Sequence, residues 1–377
     1  SAEKVEGLKH IWGRTDLIPL WVADMDFATA PFVTDAIRKR CENEVLGYTG
    51  KPDSYYNAII NWVKQRYDLI VTKEVINFVP GIVPGIGMAM NCFTQKGDKV
   101  MIQPPVYHPF AWVTTRNERT LVINPLRWEN GMYRMDLDAF REQIKGCKLF
   151  ILCNPHNPGG VVWTEAELRA IADICYDEKV LVFSDEIHAD LTLPPHTHRP
   201  FATVSEKARM NSVTFMSPSK AFNMPGLSAS HALIFNEDLR KRFRIYMDAG
   251  ELDMGHVFAF LSVEAAYSHG TEWLDQCLAY IQGNIDFVDE FLKKHAPKIK
   301  AIRPEASYLV WLDCRELELS QKDLNEFFVD KAHLALNDGE MFGKEGIGFM
   351  RLNVASPRCI IEKAMKQLAD AYQLYIK

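Results

Sequence analysis

One lysine of the sequence lies in a segment whose composition suits covalent chemistry. Lys220 follows Ser217-Pro218-Ser219, directly after the apolar run Val213–Met216. Burial at the end of a strand lowers the pKa of a lysine, so that its neutral amine can attack an aldehyde and later act as a base. Ser217 and Ser219 can donate hydrogen bonds to a phosphate group. A surface lysine in a turn would account for the same segment equally well.

A carboxylate follows a second apolar run of the chain. Asp185 comes shortly after the run Val180–Phe183, within Ser184-Asp185-Glu186-Ile187-His188. A buried carboxylate at a strand end can keep the ring nitrogen of an electron-accepting cofactor protonated. Asp185 would alternatively serve as the N-cap of the next helix.

Two loops rich in glycine and proline offer further polar groups. Asn157 lies in the run 154–160, whose two prolines and two glycines predict a tight turn that aims the amide inward. Ile82 and Val83 lie in the run 81–87, before an apolar stretch, where the free N–H groups of a helix start can hold a phosphate. The alternatives are an ordinary connecting loop and a helix start without a ligand.

Two further side chains could hold flat or charged parts of a ligand. Tyr107 follows Pro104-Pro105, and an aromatic ring at a strand end can stack on a planar cofactor, although an isolated tyrosine also suits a core. Arg351 stands among apolar residues, where an unpaired guanidinium is costly to bury. A substrate carboxylate would pair with it in a bidentate way, and an internal salt bridge is the alternative.

The elements that must position these residues alternate between strand and helix. Apolar runs predict strands at 100–103, 148–153, 180–183 and 213–216. A helix is predicted over Thr164–Lys179, because Thr164 and Glu167 have the spacing of a capping box. This pattern predicts an α/β fold with a mostly parallel central sheet covered by helices. The residues that follow strand ends are Tyr107, Asn154, Asn157, Asp185, Ser217 and Lys220, and ligands bind at that edge of such sheets.

From about residue 275 the pattern changes to longer helices and short strands. The helices are predicted over 274–295 and 321–331, and the strands over 308–312 and 348–352. We expect a large domain over 37–270 and a smaller α+β domain formed by 1–36 together with 271–377.

Composition excludes several classes of function. The chain has 377 residues and a formal net charge of -6, without a strongly basic stretch, so nucleic-acid binding is not indicated. No apolar run approaches the roughly 20 residues that span a bilayer. The eight cysteines form no CxxC pair, which favours free thiols and a cytoplasmic location. His188, His196 and His198 do not form a zinc pattern with any nearby cysteine, so we expect no metal.

Together these residues resemble the fold-type I enzymes that use pyridoxal 5'-phosphate (PLP), the aspartate aminotransferase superfamily. The order of the segments matches along nearly the whole chain. The resemblance implies that Lys220 binds PLP as a Schiff base, and that Tyr107 stacks on the ring and takes part in catalysis. The other roles implied are hydrogen bonds or contacts to the cofactor from Asn157, Asp185, His188, Ser217, Ser219, Ile82 and Val83, and binding of the substrate carboxylate by Arg351 with Asn157.

Within that superfamily the chain resembles the MalY/PatB group of cystathionine β-lyase-like carbon–sulfur lyases. The motifs that carry this resemblance are Trp21–Phe27, Gly47-Tyr48, Ser184–Leu191 and Ser307–Asp313. It implies a homodimer in which Tyr48 reaches the phosphate of the neighbouring subunit. Two residues depart from the wider aminotransferase pattern: His188 replaces a tyrosine, and Ser228 replaces a phosphate-binding arginine. With fewer charge-assisted bonds, the phosphate would bind more weakly unless another residue compensates.

The resemblance implies α,β-elimination of L-cystathionine or another cysteine S-conjugate to pyruvate, ammonia and a thiol. An aminotransferase built on the same site is the main alternative, since both reactions begin with removal of the same proton. A regulatory protein that keeps the fold but not the chemistry is a minor alternative. The preferred thioether is not readable from the sequence.

Overall fold

The computed structural model describes residues 2–375, which form helices and strands along most of their length. The α-helices of this range are α1 (Ala2–Trp12), α2 (Pro31–Cys41), α3 (Asp53–Tyr67), α4 (Ile82–Phe93), α5 (Pro109–Arg116), α6 (Leu137–Gln143), α7 (Glu165–Asp177), α8 (Glu206–Met210), α9 (Glu237–Ala249), α10 (Val257–His269), α11 (Thr271–His295), α12 (Gln321–Glu326) and α13 (Arg358–Tyr375). The strands are β1 (Ile18–Pro19), β2 (Ile76–Val79), β3 (Lys99–Ile102), β4 (Thr120–Ile123), β5 (Arg127–Glu129), β6 (Met132–Arg134), β7 (Cys147–Cys153), β8 (Leu181–Asp185), β9 (Ser212–Met216), β10 (Ser230–Leu233), β11 (Lys300–Ile302), β12 (Leu309–Asp313), β13 (Leu334–Ala335), β14 (Asn337–Asp338) and β15 (Phe349–Asn353).

The largest sheet has seven strands in the order β2-β10-β9-β8-β7-β3-β4. Strands β9, β8, β7, β3 and β4 are parallel, whereas β10 runs antiparallel to both of its neighbours. The central strands are buried almost throughout, because parallel strands need cover on both faces. The predicted α/β class with a mostly parallel sheet is confirmed.

The carboxyl ends of neighbouring parallel strands meet along one edge of this sheet. The backbone N–H of Asn154, just beyond β7, donates to the carbonyl of Asp185 at the end of β8, over 2.9 Å. The N–H of Glu186 in turn donates to Phe215 in β9, also over 2.9 Å. These bonds place the segments that contain Asn157, Asp185 and Ser217 side by side.

Several element boundaries differ slightly from the predictions. Strand β8 continues through Asp185, because this residue still pairs with Phe215, so Asp185 ends the strand rather than opening the following turn. Helix α7 begins after its N-cap Thr164, and the predicted capping box with Glu167 is present. The helix predicted over 321–331 is α-helical only in α12 and becomes π-helical from Phe327 to Lys331.

A second sheet of four strands, β11-β12-β15-β14, follows the long helix α11. Arg351 lies at the middle of β15, paired with Trp311 in β12 on one side and with Asn337 in β14 on the other. The sheet therefore presents Arg351 from the part of the chain predicted to form the smaller domain. The boundaries proposed for the two domains stay a prediction.

All eight cysteines are free thiols, five of them buried, while Cys41 and Cys359 are exposed. No helix between residues 2 and 375 is long and apolar enough to cross a bilayer.

Candidate active site

Lys220 lies just beyond the end of β9, where its ammonium contacts the chain's N-terminal part. Its Nζ donates to the carbonyl oxygen of Ala23 over 2.5 Å. Burial, and secondarily the positive charge of Arg351, lower the pKa of Lys220 from 10.5 to about 8. A substantial fraction of this amine is therefore neutral and nucleophilic near neutral pH.

Asp185 is a buried carboxylate that faces the same space. Burial raises its pKa from 3.8 to about 7, although the backbone N–H of Ile187 donates to Oδ1 over 3.1 Å and opposes that rise. No salt bridge within residues 2–375 reaches Asp185. A protonated ring nitrogen beside it would supply the missing positive charge and keep the carboxylate ionised.

Helix α4 begins at Ile82, after the N-cap Gly81, so the N–H groups of Ile82 and Val83 have no partner within the helix. Ser219 lies near this helix start and lines the same cavity. Backbone N–H groups at a helix start and a nearby hydroxyl together suit a phosphate group.

Ser217 lies behind Ser219 rather than in the cavity wall. Its hydroxyl donates to the carbonyl of Ala229 over 2.8 Å and also contacts the Ser219 hydroxyl. The backbone N–H of Ser219 donates to the Ser217 hydroxyl over 3.1 Å. In this arrangement Ser217 orients Ser219. The hydroxyl-bearing Ser228 and Ser230 also line the cavity, and neither was singled out as a phosphate contact from the sequence.

Tyr107, Asn157 and His188 bring two rings and an amide to the same space. Burial raises the pKa of Tyr107 to about 12, so its phenol is protonated at neutral pH. Burial lowers the pKa of His188 to about 3, and its buried Nδ1 has no hydrogen-bond partner. The Asn157 amide oxygen accepts from Arg351 Nη1 over 3.1 Å.

Arg351 has only neutral partners in the part of the chain that the structure describes. Its Nη2 donates to Asn337 Oδ1 over 2.5 Å and to the carbonyl of Trp21 over 3.2 Å, while its buried Nε has no partner. Burial lowers the pKa of Arg351 to about 10, which leaves it charged. The internal salt bridge considered as the alternative is therefore absent among the described residues, and a carboxylate from outside the chain would supply the missing charge.

Residues 20–27 form a strap across the site that sequence reasoning used only as a family marker. The Ala23 carbonyl accepts from both Lys220 and the Tyr308 hydroxyl, the latter over 3.0 Å. The Asn353 amide holds the carbonyls of Val22 and Asp24, each over 2.6 Å. The two aspartates within an otherwise apolar run were a sequence signal for this strap, but its backbone contacts lie with residues about 200 to 330 positions away.

These groups surround a cavity of about 200 Å³. Besides the start of α4 at Ile82 and Val83, its walls include the predicted residues Tyr107, Asn157, Asp185, His188, Ser219 and Lys220. A nucleophilic lysine, an unpaired buried carboxylate and a helix start at separate parts of one cavity fit the aldehyde, ring nitrogen and phosphate of PLP.

Tyr48 is the predicted residue that lies apart from the others within this chain. Its side chain is 98 % exposed, in a segment without helix or strand. Its proposed contact with a neighbouring subunit stays a prediction.

The histidines considered as metal ligands have other surroundings. His198 Nε2 lies 2.7 Å from Glu186 Oε2, and His196 Nδ1 lies 3.7 Å from Glu305 Oε1. Within the described residues, no three His, Cys, Asp or Glu side chains form a group that could hold a metal ion.

Comparison with known proteins gives one consistent result. Residues 15–368 match the profile of the family described as aminotransferase class I and II. The chain is 38 % identical to cystathionine β-lyase PatB of Bacillus subtilis, over 96 % of this chain and 94 % of that protein. Among solved structures, PLP-containing cystalysin of Treponema denticola matches with a TM-score of 0.95 and 33 % identity, covering 99 % of this chain and 96 % of that one. The PLP-bound C–S lyase of Staphylococcus hominis matches with a TM-score of 0.90 and 34 % identity, over 99 % and 95 % of the two chains.

Proposed function

The chain belongs to the aminotransferase class I and II family, and we propose that within it this protein is a PLP-dependent carbon–sulfur lyase. The reaction is α,β-elimination of L-cystathionine or a related cysteine S-conjugate to pyruvate, ammonia and a thiol. The observation that carries the proposal is the 38 % identity, over nearly the whole chain, to a cystathionine β-lyase. The family and the cofactor predicted from the sequence are confirmed.

Different residues of this chain serve the different steps of the elimination. PLP supplies, when bound, an electron-accepting ring that stabilises negative charge at the substrate Cα. Lys220 accepts the proton from Cα as general base, and Arg351 holds the α-carboxylate so that this proton faces the lysine. Asp185 holds positive charge at the ring nitrogen. The thiolate then leaves from Cβ, with Lys220 or Tyr107 as the nearby proton donor.

An aminotransferase would use the same lysine, so the decisive experiment concerns products. Purified protein with PLP and L-cystathionine is assayed for pyruvate, with and without an added keto acid. We expect pyruvate without any acceptor, because elimination needs no second substrate. A new amino acid that forms only when the keto acid is supplied would make the protein an aminotransferase instead.

The pH dependence of cofactor attachment follows from the lowered pKa of Lys220. The neutral amine attacks the aldehyde, and the pKa of about 8 means that the neutral fraction grows as pH rises through 8 rather than through 10.5. We expect the rate of covalent attachment of PLP to the apoprotein to rise about tenfold from pH 6.5 to pH 7.5 and to level off above pH 9. Stopped-flow absorbance measures this rate, and a rise that continues beyond pH 10 would contradict the prediction.

We also propose a homodimer in which Tyr48 contributes to the neighbouring site. Its supports are the 98 % exposure of Tyr48 and the neighbouring exposed apolar side chains of Val45 and Leu46. Sedimentation equilibrium should give twice the chain mass. Tyr48→Phe should weaken PLP binding about tenfold through loss of one hydrogen bond to a charged group. A monomer, or unchanged PLP affinity, would contradict the assignment of Tyr48.

We propose a cytoplasmic location as well, on the basis of the free thiols. Cell fractionation with an antibody to the protein tests it.

A further inference from the structure

A second cavity shares the wall residue Tyr107 with the PLP cavity. This side cavity has a volume of about 480 Å³ and is bounded by the residues that follow β3, by α5, by β4 and by the turn 340–345. Tyr107 belongs to the walls of both cavities. The two cavities therefore adjoin at Tyr107.

The side cavity is joined to the carboxylate-binding residue through Phe342. The Phe342 ring lies under the Arg351 guanidinium, 4.8 Å from its carbon to the ring centroid. The Phe342 carbonyl accepts from the N–H of Val106 over 2.9 Å, which fixes the turn 340–345 against the segment that carries Tyr107. Phe342 thus connects the wall of the side cavity to Arg351, the residue expected to bind the substrate α-carboxylate.

Most of the wall is apolar. The apolar residues that line it include Ala111, Trp112, Leu121, Met341 and Phe342. An aliphatic chain next to the sulfur of a thioether would be transferred from water to an apolar surface here, which favours binding.

Two polar atoms in the wall are buried without a hydrogen-bond partner: Nδ1 of His108 and Oε1 of Glu345. Burial and the nearby Arg351 lower the pKa of His108 to about 4, so its ring is neutral at pH 7. No salt bridge among residues 2–375 involves Glu345. The other charged residues of the wall are Glu340 and Lys344, and both are exposed. Among the described residues, Glu345 is thus a carboxylate of the cavity wall without an ion-pair partner.

One oxygen of the Glu345 carboxylate lies close to Gly343. A Cβ added at Gly343 would come within 2.8 Å of Glu345 Oε2 and 2.7 Å of Pro104 Cβ. Gly343 and Pro104 are themselves wall residues, so Oε2 lies against the wall, while the Glu345 side chain as a whole is half-buried. A buried acceptor of this kind is expected to have a donor when the site is occupied.

We propose that the side cavity binds the leaving half of the thioether, and that Glu345 selects a leaving thiol that carries an ammonium group at its far end. This inference rests on the proposed lyase function. The preferred class is therefore cysteine conjugates of aliphatic amino thiols, rather than of neutral alkyl thiols of the same length. Glu345 acts on specificity only, since it touches neither the reacting Cα nor the cofactor.

The test compares two substrates of equal length, S-(2-aminoethyl)-L-cysteine and S-propyl-L-cysteine, which differ by an ammonium in place of a methyl group. With the PLP-loaded enzyme, we expect kcat/KM for pyruvate release to be at least about tenfold higher for the aminoethyl compound. In Glu345→Gln the preference should fall to within about twofold, through loss on the aminoethyl compound alone. The matched control Glu362→Gln changes an exposed carboxylate far along the chain in α13 and should keep the preference.

Equal kcat/KM for the two compounds in wild type, or an unchanged preference in Glu345→Gln, would overturn the inference while the lyase function stands. Absence of pyruvate from both compounds and from β-chloro-L-alanine would overturn the proposed function and the inference with it.

A second variant keeps the proposal testable if Glu345→Gln fails to fold. Ala111→Phe fills the side cavity and should lower kcat/KM for both thioethers about tenfold or more, because the leaving half no longer fits. β-Chloro-L-alanine, whose leaving group is a single atom, should change by less than about twofold. Thioether turnover that is insensitive to Ala111→Phe would overturn the inference.

Discussion

Replacement of Lys220 by alanine is expected to lower kcat for pyruvate release by at least about 10³-fold. The lysine is both the covalent anchor and the proposed base, and a positioned base by itself contributes about 10² to 10⁴. The coupled lactate dehydrogenase assay measures the loss. Borohydride treatment should add the cofactor mass to wild type and not to the variant.

A suitable control is Lys148→Ala, because Lys148 is an exposed residue of β7 in the same sheet. It should keep wild-type turnover and covalent attachment. Lys220→Ala should also keep its fold, since removal of a buried ammonium takes away a desolvation cost together with its hydrogen bond to Ala23. Residual turnover within tenfold of wild type in a folded Lys220→Ala protein would rule out its role as base.

Asp185→Asn is expected to lower kcat by about 10² to 10³-fold while the affinity for PLP falls less. Asparagine keeps the shape of the side chain but supplies no negative charge, so the ring nitrogen loses its proton and stores carbanion charge poorly. Steady-state kinetics at saturating PLP measure the effect. A loss smaller than threefold would show that this charge is not needed.

Thermal melting of the apoprotein distinguishes loss of the Asp185 charge from a general destabilisation of the fold by the substitution. The pKa of Asp185 is about 7 in the folded chain, against about 3.9 for a free aspartate, so folding without PLP favours the protonated form. Stability from this group is therefore full below pH 4 and is lost as pH rises from 4 through 7. At pH 8, the apo form of Asp185→Asn should therefore melt at or above the melting temperature of the wild-type apoprotein. The control is Asp370→Asn, which changes an exposed carboxylate and should leave both the melting temperature and turnover unchanged.

The fold could be predicted because its signals are local. The capping box at Thr164 and Glu167 depends on residues three positions apart, and the apolar runs of β7 and β9 depend on burial of a few consecutive side chains. Parallel strands place their carboxyl ends at one edge, so the grouping of Asn157, Asp185 and Lys220 follows once the strands are recognised. The boundary at Asp185 was missed by two residues because its pairing with β9 is not a local property.

Other parts of the site depend on segments that are distant in the chain. The phosphate contact expected of Ser217 stays a prediction, whereas its hydrogen bonds to the carbonyl of Ala229 and to Ser219 arise from the way the chain folds back on itself. The strap contacts of Lys220 and Arg351 with Ala23 and Trp21 connect residues 197 and 330 positions apart. No periodicity or spacing records such a contact.

The sequence by itself determined the chemistry available to this protein: a lysine, a carboxylate and a helix start at strand ends, in the order of a PLP enzyme. The tertiary structure alone decided how each group is charged and paired. Burial brings the pKa of Lys220 down and that of Asp185 up, and the neutral surroundings of Arg351 leave it without a carboxylate among the described residues. The side cavity that Glu345 lines is also a product of the tertiary structure, because cavities and buried polar atoms form only when distant segments pack together.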